Sequence, residues 1–402
     1  MTIDIDRLMR ELDRLATFSD APAPAVTRVV YSETDRRARA WVRELCAEAG
    51  LAVREDGIGN VFAQWAGAEP DLPAVATGSH IDAIPHAGRY DGTVGVLAGL
   101  EAIRALQRAG ARLRRSIELV VFCAEEPTRF GIGCFGSRML AGLLDGSELR
   151  DREGKSLRDW VGDYRSVRLA AGCYDAFVEL HIEQGPLLER AGIPLGIVTA
   201  IAAPATWHIF IEGEGGHAGA VLMPDRKDAF CAAAEVVLAV ERVARSSGAI
   251  DTVGTTGVCD VFPGAVNSVP SKVRIEMDVR DIDGARRDHV LAEIAAECAE
   301  IAGRRGVRIR REVINADPPA ACDPRIIAAL EESAGAMAFQ KMVSRAYHDS
   351  LFMARIAPTG MLFIPCRGGV SHRPDEYAAP EAIGCGVAVL AGALAELAGR
   401  IA

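Results

Sequence analysis

Residues 73–101 read PAVATGSHIDAIPHAGRYDGTVGVLAGLE, and they join an apolar run, a polar turn and the start of a helix. The run at 73–79 ends on His80, a side chain that commonly ligates metals. An apolar run of this kind is typical of a buried parallel strand. Asp91 follows between glycines, directly before a helix predicted over 93–107. The stretch predicts an α/β sheet with ligand-type side chains at the carboxyl end of a strand.

Three further apolar runs lead into side chains of the same kind: 117–124 into Glu125 and Glu126, 176–180 into His181, and 361–364, through a Gly-Gly loop, into His372. One such run is a weak signal, because a single histidine or acid pair also occurs in ordinary surface loops. Ligands of open α/β sheets gather at the carboxyl ends of the strands. Four runs in one chain therefore predict that these side chains share one site.

A set of histidines and carboxylates suits Zn²⁺ or Mn²⁺, and the same ligands accept Co²⁺ or Ni²⁺. Two such cations about 3.5–4 Å apart polarise a carbonyl and activate water near neutral pH. Successive side chains of an extended chain point in opposite directions. One member of the Glu125–Glu126 pair can therefore bind metal while the other takes a proton from water. Asp82 is the predicted hydrogen-bond partner of the His80 ring.

Other hydrolytic chemistries find no support in the sequence. It contains no phosphate-binding loop of the type GxxxxGK[ST] and no GxSxG motif, which disfavours phosphoryl transfer and serine-based hydrolysis. The net charge of −10 argues against a nucleic-acid partner and against an anionic membrane surface. No apolar stretch reaches the ~20 residues of a membrane span, and the charged first residues do not resemble a signal peptide. The ten cysteines are scattered singly, which predicts a reducing, cytoplasmic setting.

The 402 residues are enough for two domains, and the order of predicted elements changes near residue 203. Strand-like and helix-like segments alternate in 1–202 and 317–402, which predicts one discontinuous catalytic domain. Residues 203–316 instead follow the β-α-β-β-α-β pattern of ferredoxin-like domains. The predicted elements there are strand 206–212, helix 226–245 with Asp225 as its N-cap, strands 252–261 and 271–280, helix 284–303 and strand 307–313. The exposed edges of so small a sandwich favour a homodimer.

Taken in order, these residues resemble the hydantoinase/carbamoylase family of metal-dependent amidases, relatives of the dinuclear zinc exopeptidases. The segments that carry the resemblance are GSHIDAIPHAGRYDGTVGVLAGLE (78–101), AEEPTRFGIGCFGSR (124–138), ELHIEQGPLLE (179–189), GHAGAVLMPDRKDA (216–229), PGAVNSVPS (263–271), DVRDID (278–283) and GGVSHRPDE (368–376). The resemblance implies a mixed-sheet α/β metallohydrolase domain that holds two metals. It also implies an inserted ferredoxin-like domain that serves as lid and dimerisation surface.

The resemblance also implies roles for individual residues. Asp91 would bridge two metals, with His80 and His181 on separate metals. Glu126 would bind one metal and His372 the other, and Glu125 would be the general base. The implied substrate contacts are Gln184, His217, Asn267, Arg280 and His348, of which His217 and Asn267 reach the neighbouring subunit's site. The planar guanidinium of Arg280 suits a bidentate hydrogen-bonded contact with a substrate carboxylate.

Three segments bear on the substrate. Residues 125–130, EEPTRF, depart from the family's more usual EEGxRF, whereas 18–28 and 344–353 resemble family members that act on ureidoglycolate. The expected reaction is hydrolysis of the C–N bond of a linear ureido acid, ureidoglycolate first, with release of ammonia. N-carbamoyl-L-amino acids, allantoate and β-ureido acids stay open as substrates, and a metallodipeptidase is a more distant alternative. A binding protein without catalysis would require the loss of a ligand or of the base, and neither is lost.

Overall fold

The computed structural model describes residues 1–165 and 167–401, so that Ser166 and Ala402, the last residue of the predicted catalytic domain, lie outside it. The described chain forms two compact units, each with its own core. The first unit contains residues 1–199, 322–344 and those from 348 onward, and the second contains 200–321 and 345–347. Helices and strands are numbered below along the whole chain.

The strands that begin in the first unit are β1 (Val26–Arg28), β2 (Ala52–Glu55), β3 (Val61–Trp65), β4 (Ala74–His80), β5 (Ala83–Ala87), β6 (Ile117–Phe122), β7 (Tyr174–Ile182), β8 (Leu195–Ile201), β16 (Phe339–Ser344) and β17 (Thr359–Ile364). The main sheet has the order β2-β3-β6-β4-β7-β17-β8, and β16 pairs with β8. β1 and β5 form a separate two-stranded ladder. The sheet is mixed, because β2, β3 and β8 run antiparallel to their neighbours.

The middle of the sheet consists of the four apolar runs found in the sequence. β6, β4, β7 and β17 are adjacent and parallel, so their carboxyl ends lie along one edge. Every residue of β4, β6 and β17 is buried, as expected for strands covered by helices on both faces. The predicted α/β class with a mixed sheet is confirmed, and the register brings the end of each run to the same place.

The helices of the first unit are α1 (Ile5–Ala16), α2 (Glu33–Glu48), α3 (Thr93–Arg108), α4 (Phe135–Leu140), α5 (Leu157–Val161), α6 (Leu187–Ala191), α9 (Pro324–Ala334), α10 (Asp349–Met353) and α11 (Pro380–Leu397). α3 is buried from Thr93 to Leu106, because it packs between the sheet and the neighbouring helices α1 and α11. α11 is long and apolar enough to cross a membrane by length and composition alone. Its apolar side chains instead pack into the core of this unit.

The second unit contains β9 (Ala203–Glu212), β10 (Gly216–His217), α7 (Ala229–Ser246), β11 (Val253–Phe262), β12 (Ser268–Val269), β13 (Lys272–Asp281), α8 (Gly284–Arg305), β14 (Arg308–Ala316) and β15 (Ala320–Ala321). Its antiparallel sheet has the order β11-β13-β9-β14, and α7 and α8 cover one face. The main elements follow the order β-α-β-β-α-β. The prediction that α7 begins after Asp225 is wrong. Asp228 is the N-cap, and its carboxylate accepts from the first amides of the helix.

Candidate active site and metal centre

Two histidines and one aspartate form a first group of donor atoms. His80 at the end of β4 and His181 near the end of β7 both face Asp91 Oδ1, with their Nε2 atoms 3.4 and 3.3 Å from it. β4 and β7 are neighbouring parallel strands, so they bring the two rings to the same side of Asp91. His80 and His181 belong to one group of possible donors, an arrangement that favours a shared metal over the predicted separate metals.

Backbone carbonyls fix the tautomer of both histidines. His80 Nδ1 lies 3.1 Å from the carbonyl oxygen of Asp82, and His181 Nδ1 lies 2.9 Å from that of Ile182. A carbonyl only accepts, so each Nδ1 carries the hydrogen and each Nε2 presents its lone pair. The amide of Gly92 donates to His181 Nε2 at 3.0 Å, as it would to such a lone pair. Both imidazoles are therefore turned so that Nε2 can ligate a cation.

A second group forms on the other oxygen of Asp91. His372 Nε2 lies 3.4 Å from Asp91 Oδ2 and 3.3 Å from Glu126 Oε1, so Glu126 and His372 lie in one group of possible donors, which favours a shared metal over the predicted different metals. Donors ~2.1 Å from one ion in tetrahedral geometry lie about 3.4 Å apart. The spacing within both groups fits a bound ion. Asp91 presents one oxygen to each group, which is the geometry of a bridging carboxylate.

The turn that carries Asp91 requires glycine at the next position. Gly92 has φ +64°, and a Cβ there would lie 2.3 Å from His80 Nε2. Glycine both tolerates the left-handed conformation and leaves room for the imidazole. Gly92 also precedes α3 without a side-chain cap, so Asp91 is left to face the histidines rather than to cap the helix.

Three polar side chains hold the Asp91 turn. Glu376 accepts hydrogen bonds from the amides of Tyr90 at 2.7 Å and Asp91 at 3.0 Å. The Ser371 hydroxyl donates to Asp91 Oδ2 at 2.5 Å, and Gln184 Nε2 donates to the same oxygen at 2.6 Å. Gln184 thus holds the shared carboxylate, and its role as a substrate contact stays a prediction. Glu376 and Ser371 were missed, although both lie in the quoted segment 368–376.

Asp82 was predicted to hold the His80 ring, but its carboxylate mainly holds the backbone of Glu125 and Glu126. Its two oxygens accept the amides of Glu125 at 3.1 Å and Glu126 at 3.0 Å. Its carboxylate lies 3.5 Å from His80 Nδ1, farther than its own carbonyl. One aspartate therefore fixes the loop that follows β6 and, through its backbone, the ring at the end of β4.

The buried carboxylates of the site repel one another electrostatically. Burial, together with the neighbouring Glu126 charge, raises the pKa of Glu125 well above its usual range. Burial also raises the pKa of Glu126. So many buried carboxylates are stabilised by positive charge, which divalent cations supply.

A buried polar layer lies against the first donor group. The Glu179 carboxylate accepts the hydroxyls of Ser79 at 2.7 Å and Ser350 at 2.6 Å. The ring of His348 lies 4.5 Å from that of His181, centroid to centroid, and is almost fully buried. His348 therefore packs behind a ligand-type histidine, and its role as a substrate contact stays a prediction.

The second unit brings two of its predicted site residues together. β10 and β12 pair so that His217 lies opposite Ser268, and the carbonyl of Asn267 accepts from Ala218 at 2.9 Å. His217 and Asn267 are both exposed. Arg280 near the end of β13 donates to Asp278 Oδ1 at 2.6 Å and stacks on the Tyr347 ring. These contacts all lie within the second unit.

Comparison with known proteins agrees with this arrangement. The family model of peptidase family M20/M25/M40 matches residues 76–396. A hydantoinase/carbamoylase family amidase from Burkholderia multivorans is 34% identical, with a TM-score of 0.88 over 98% of each chain. The chain belongs to peptidase family M20/M25/M40 and, within it, to the hydantoinase/carbamoylase amidases. As a member of this family it is a metal-dependent hydrolase.

Two further comparisons give a higher identity. A ureidoglycolate hydrolase from Arabidopsis thaliana is 51% identical over 99% of this chain and 87% of its own length. The crystal structure of AtUAH in complex with glyoxylate is 51% identical, with a TM-score of 0.91 over 99% of this chain and 98% of that one. The resemblance seen in the sequence is confirmed at the level of the family and the fold.

Proposed function

We propose that this amidase hydrolyses the terminal C–N bond of ureidoglycolate with release of ammonia, using two divalent cations. The observation that carries the chemistry is Asp91, whose two oxygens face two separate donor groups beside the buried acid Glu125. The substrate is supported by 51% identity to the Arabidopsis ureidoglycolate hydrolase over 99% of this chain. Mn²⁺ and Zn²⁺ are the proposed ions, and the same donors accept Co²⁺ or Ni²⁺.

The donor residues would hold the ions in two places. His80 and His181 with Asp91 Oδ1 would hold one, and Glu126 and His372 with Asp91 Oδ2 the other. Bound divalent cations polarise a carbonyl and lower the pKa of water. Three protein donors in each group leave a position open for water or substrate.

Glu125 is the proposed general base. Its Oε2 lies 3.8 Å from His80 Nε2, so the carboxylate faces the first donor group without belonging to it. The residue is 8% exposed, which limits competition from bulk water. The base takes a proton from the attacking water and returns it to the departing nitrogen, so that ammonia leaves.

The second unit supplies the proposed grip on the substrate. Residues 203–316 would act as lid and dimerisation domain, with His217, Asn267 and Arg280 as substrate contacts. A ureido acid has a carboxylate opposite its carbamoyl group, and the Arg280 guanidinium matches that carboxylate with two parallel hydrogen bonds. Removing the carboxylate would remove these two hydrogen bonds, so specificity should depend on it.

A homodimer in the cytoplasm is the proposed working form. β11 is an edge strand of the second unit, and Val253 and Phe262 at its ends are exposed. Such an edge is a template for pairing with a second copy. The ten cysteines are free thiols, as expected in a reducing compartment. Light scattering of the active enzyme tests the dimer, and a fully active monomer would contradict it.

The experiment that tests the function is an ammonia-release assay with metal analysis. Chelated enzyme is reloaded with Mn²⁺ or Zn²⁺ and given ureidoglycolate, an N-carbamoyl-L-amino acid, allantoate, a β-ureido acid and a dipeptide. We expect no turnover without metal, and ureidoglycolate as the best substrate. Glu125→Gln should keep fold and metal and lose at least about 10²-fold in kcat. Full activity without metal would overturn the mechanism, and faster turnover of allantoate would overturn only the substrate.

A further inference from the structure

The two oxygens of the proposed base have different surroundings. Glu125 Oε2 faces His80 Nε2 at 3.8 Å, whereas Oε1 accepts a hydrogen bond from the thiol of Cys134 at 3.3 Å. Cys134 is fully buried. Burial raises the pKa of its thiol well above the usual range, so the sulfur keeps its proton and remains a donor. The thiol therefore contacts the oxygen that faces away from the His80 ring.

Two backbone hydrogen bonds hold the segment that carries Cys134 against the segment that carries Glu125. The amide of Cys134 donates to the carbonyl of Glu125 at 2.7 Å, and that of Phe135 donates to the carbonyl of Ala124 at 2.9 Å. Cys134 and Ala124 both have φ +53°, a conformation that costs a non-glycine residue roughly 1–2 kcal/mol. Glycine would adopt it freely at position 134. A side chain retained in a strained position points to a use for that side chain.

A second contact anchors the turn that carries the thiol. The Ser137 hydroxyl, in the first turn of α4, donates to Asp349 Oδ1 at 2.5 Å and lies 3.1 Å from the carbonyl of Cys134. Ser137 and Asp349 are both fully buried. α10, through Asp349, thus fixes the start of α4 and with it the position of the Cys134 sulfur.

We propose that Cys134 is a positioning residue, whose thiol holds Glu125 Oε1 so that Oε2 stays turned toward the metal groups and the reacting water. This inference rests on the proposed role of Glu125 as general base. A thiol is a weak donor. It orients the carboxylate while competing little with the proton that the base must accept, and a cationic or strongly donating partner would quench the base. A freely rotating carboxylate would spend part of its time in unproductive orientations.

The test compares Cys134→Ala with Cys123→Ala in the metal-loaded enzyme. Cys123 is equally buried and lies two residues before Glu125, but its sulfur contacts the Tyr31 hydroxyl, which keeps its bond to the Ile58 carbonyl. We expect Cys134→Ala to lower kcat about 10- to 100-fold with little change in KM or metal content. Cys123→Ala should keep kcat, and Cys134→Ser should recover most of it, because a hydroxyl also donates.

A double-mutant cycle with Glu125→Gln separates positioning from mere packing. If Cys134 acts through Glu125, Cys134→Ala should reduce kcat little further in the Glu125→Gln background. Cys134→Gly relieves the left-handed strain, so it provides a folded variant in case the alanine variant unfolds. Equal kcat in Cys134→Ala and Cys123→Ala would overturn the inference while leaving the base intact. Full activity in Glu125→Gln would instead overturn the proposed function itself.

Discussion

Gly92→Ala probes how closely the Asp91 turn approaches the first donor group. The added Cβ would lie 2.3 Å from Nε2, 2.4 Å from Cδ2 and 2.5 Å from Cε1 of His80. These atoms belong to a buried ring whose Nδ1 is tied to the Asp82 carbonyl. The ring cannot rotate away without losing that bond, so the turn and the ring must separate.

The size of the effect follows from the overlap. Ordinary van der Waals contact begins at 3.4 Å, so a contact of 2.3 Å requires a displacement of about 1 Å. A displacement of ~1 Å at a reacting centre costs about 10²-fold in rate. The left-handed conformation adds about 1–2 kcal/mol of destabilisation. We expect kcat/KM to fall at least about 10²-fold, with weaker binding of the metal at the His80 group.

Gly110→Ala is the matched control, because Gly110 follows the other end of α3. It has φ +66°, and a Cβ there meets nothing within 4 Å among the described residues. It therefore shares the positive φ of Gly92 without the clash. Ammonia release, metal titration and urea unfolding are compared for the two variants. Equal activity and metal affinity in both would refute the argument that Gly92 makes room for His80.

Three other variants give independent checks. Glu376→Gln should weaken metal binding about 10- to 100-fold, because a neutral amide holds the Asp91 turn less firmly, and chelator competition measures this. Arg280→Lys should raise KM for ureidoglycolate more than for its neutral ester, and an equal rise for both would contradict the carboxylate grip. Burial opposes ionisation of Asp281, but hydrogen bonds from Arg286 and Thr252 prevail and lower its pKa below 3.8. That stabilisation is present above pH 3.8 and is lost as the pH falls through the lower folded-state pKa. Urea unfolding should therefore show Asp281→Asn to be less stable than wild type at pH 7, with a difference that shrinks below pH 3.8.

The sequence predicted the residues at the strand ends well because the signal there is local. Each run before His80, Glu125 and His181 is apolar enough to require burial on both faces, and each ends on a polar side chain. The start of α7 was misplaced because two aspartates, at 225 and 228, stand three residues apart ahead of the apolar helix, and either one can cap a helix. Only the backbone shows that the carboxylate of Asp228 reaches the free amides.

Consecutive residues were enough to show which side chains stand at the ends of the buried runs, since the alternation of apolar strands and helices is a local pattern. Which donors share an ion depends on contacts between residues far apart in the chain. Strand order places β4 beside β7, so His80 and His181 meet on one oxygen of Asp91. Glu376, 285 residues after Asp91, and Cys134, whose thiol faces Glu125, acquire their surroundings only when the chain folds. A hydrogen bond between distant segments leaves no periodic pattern in the sequence, so it is visible only in the folded chain.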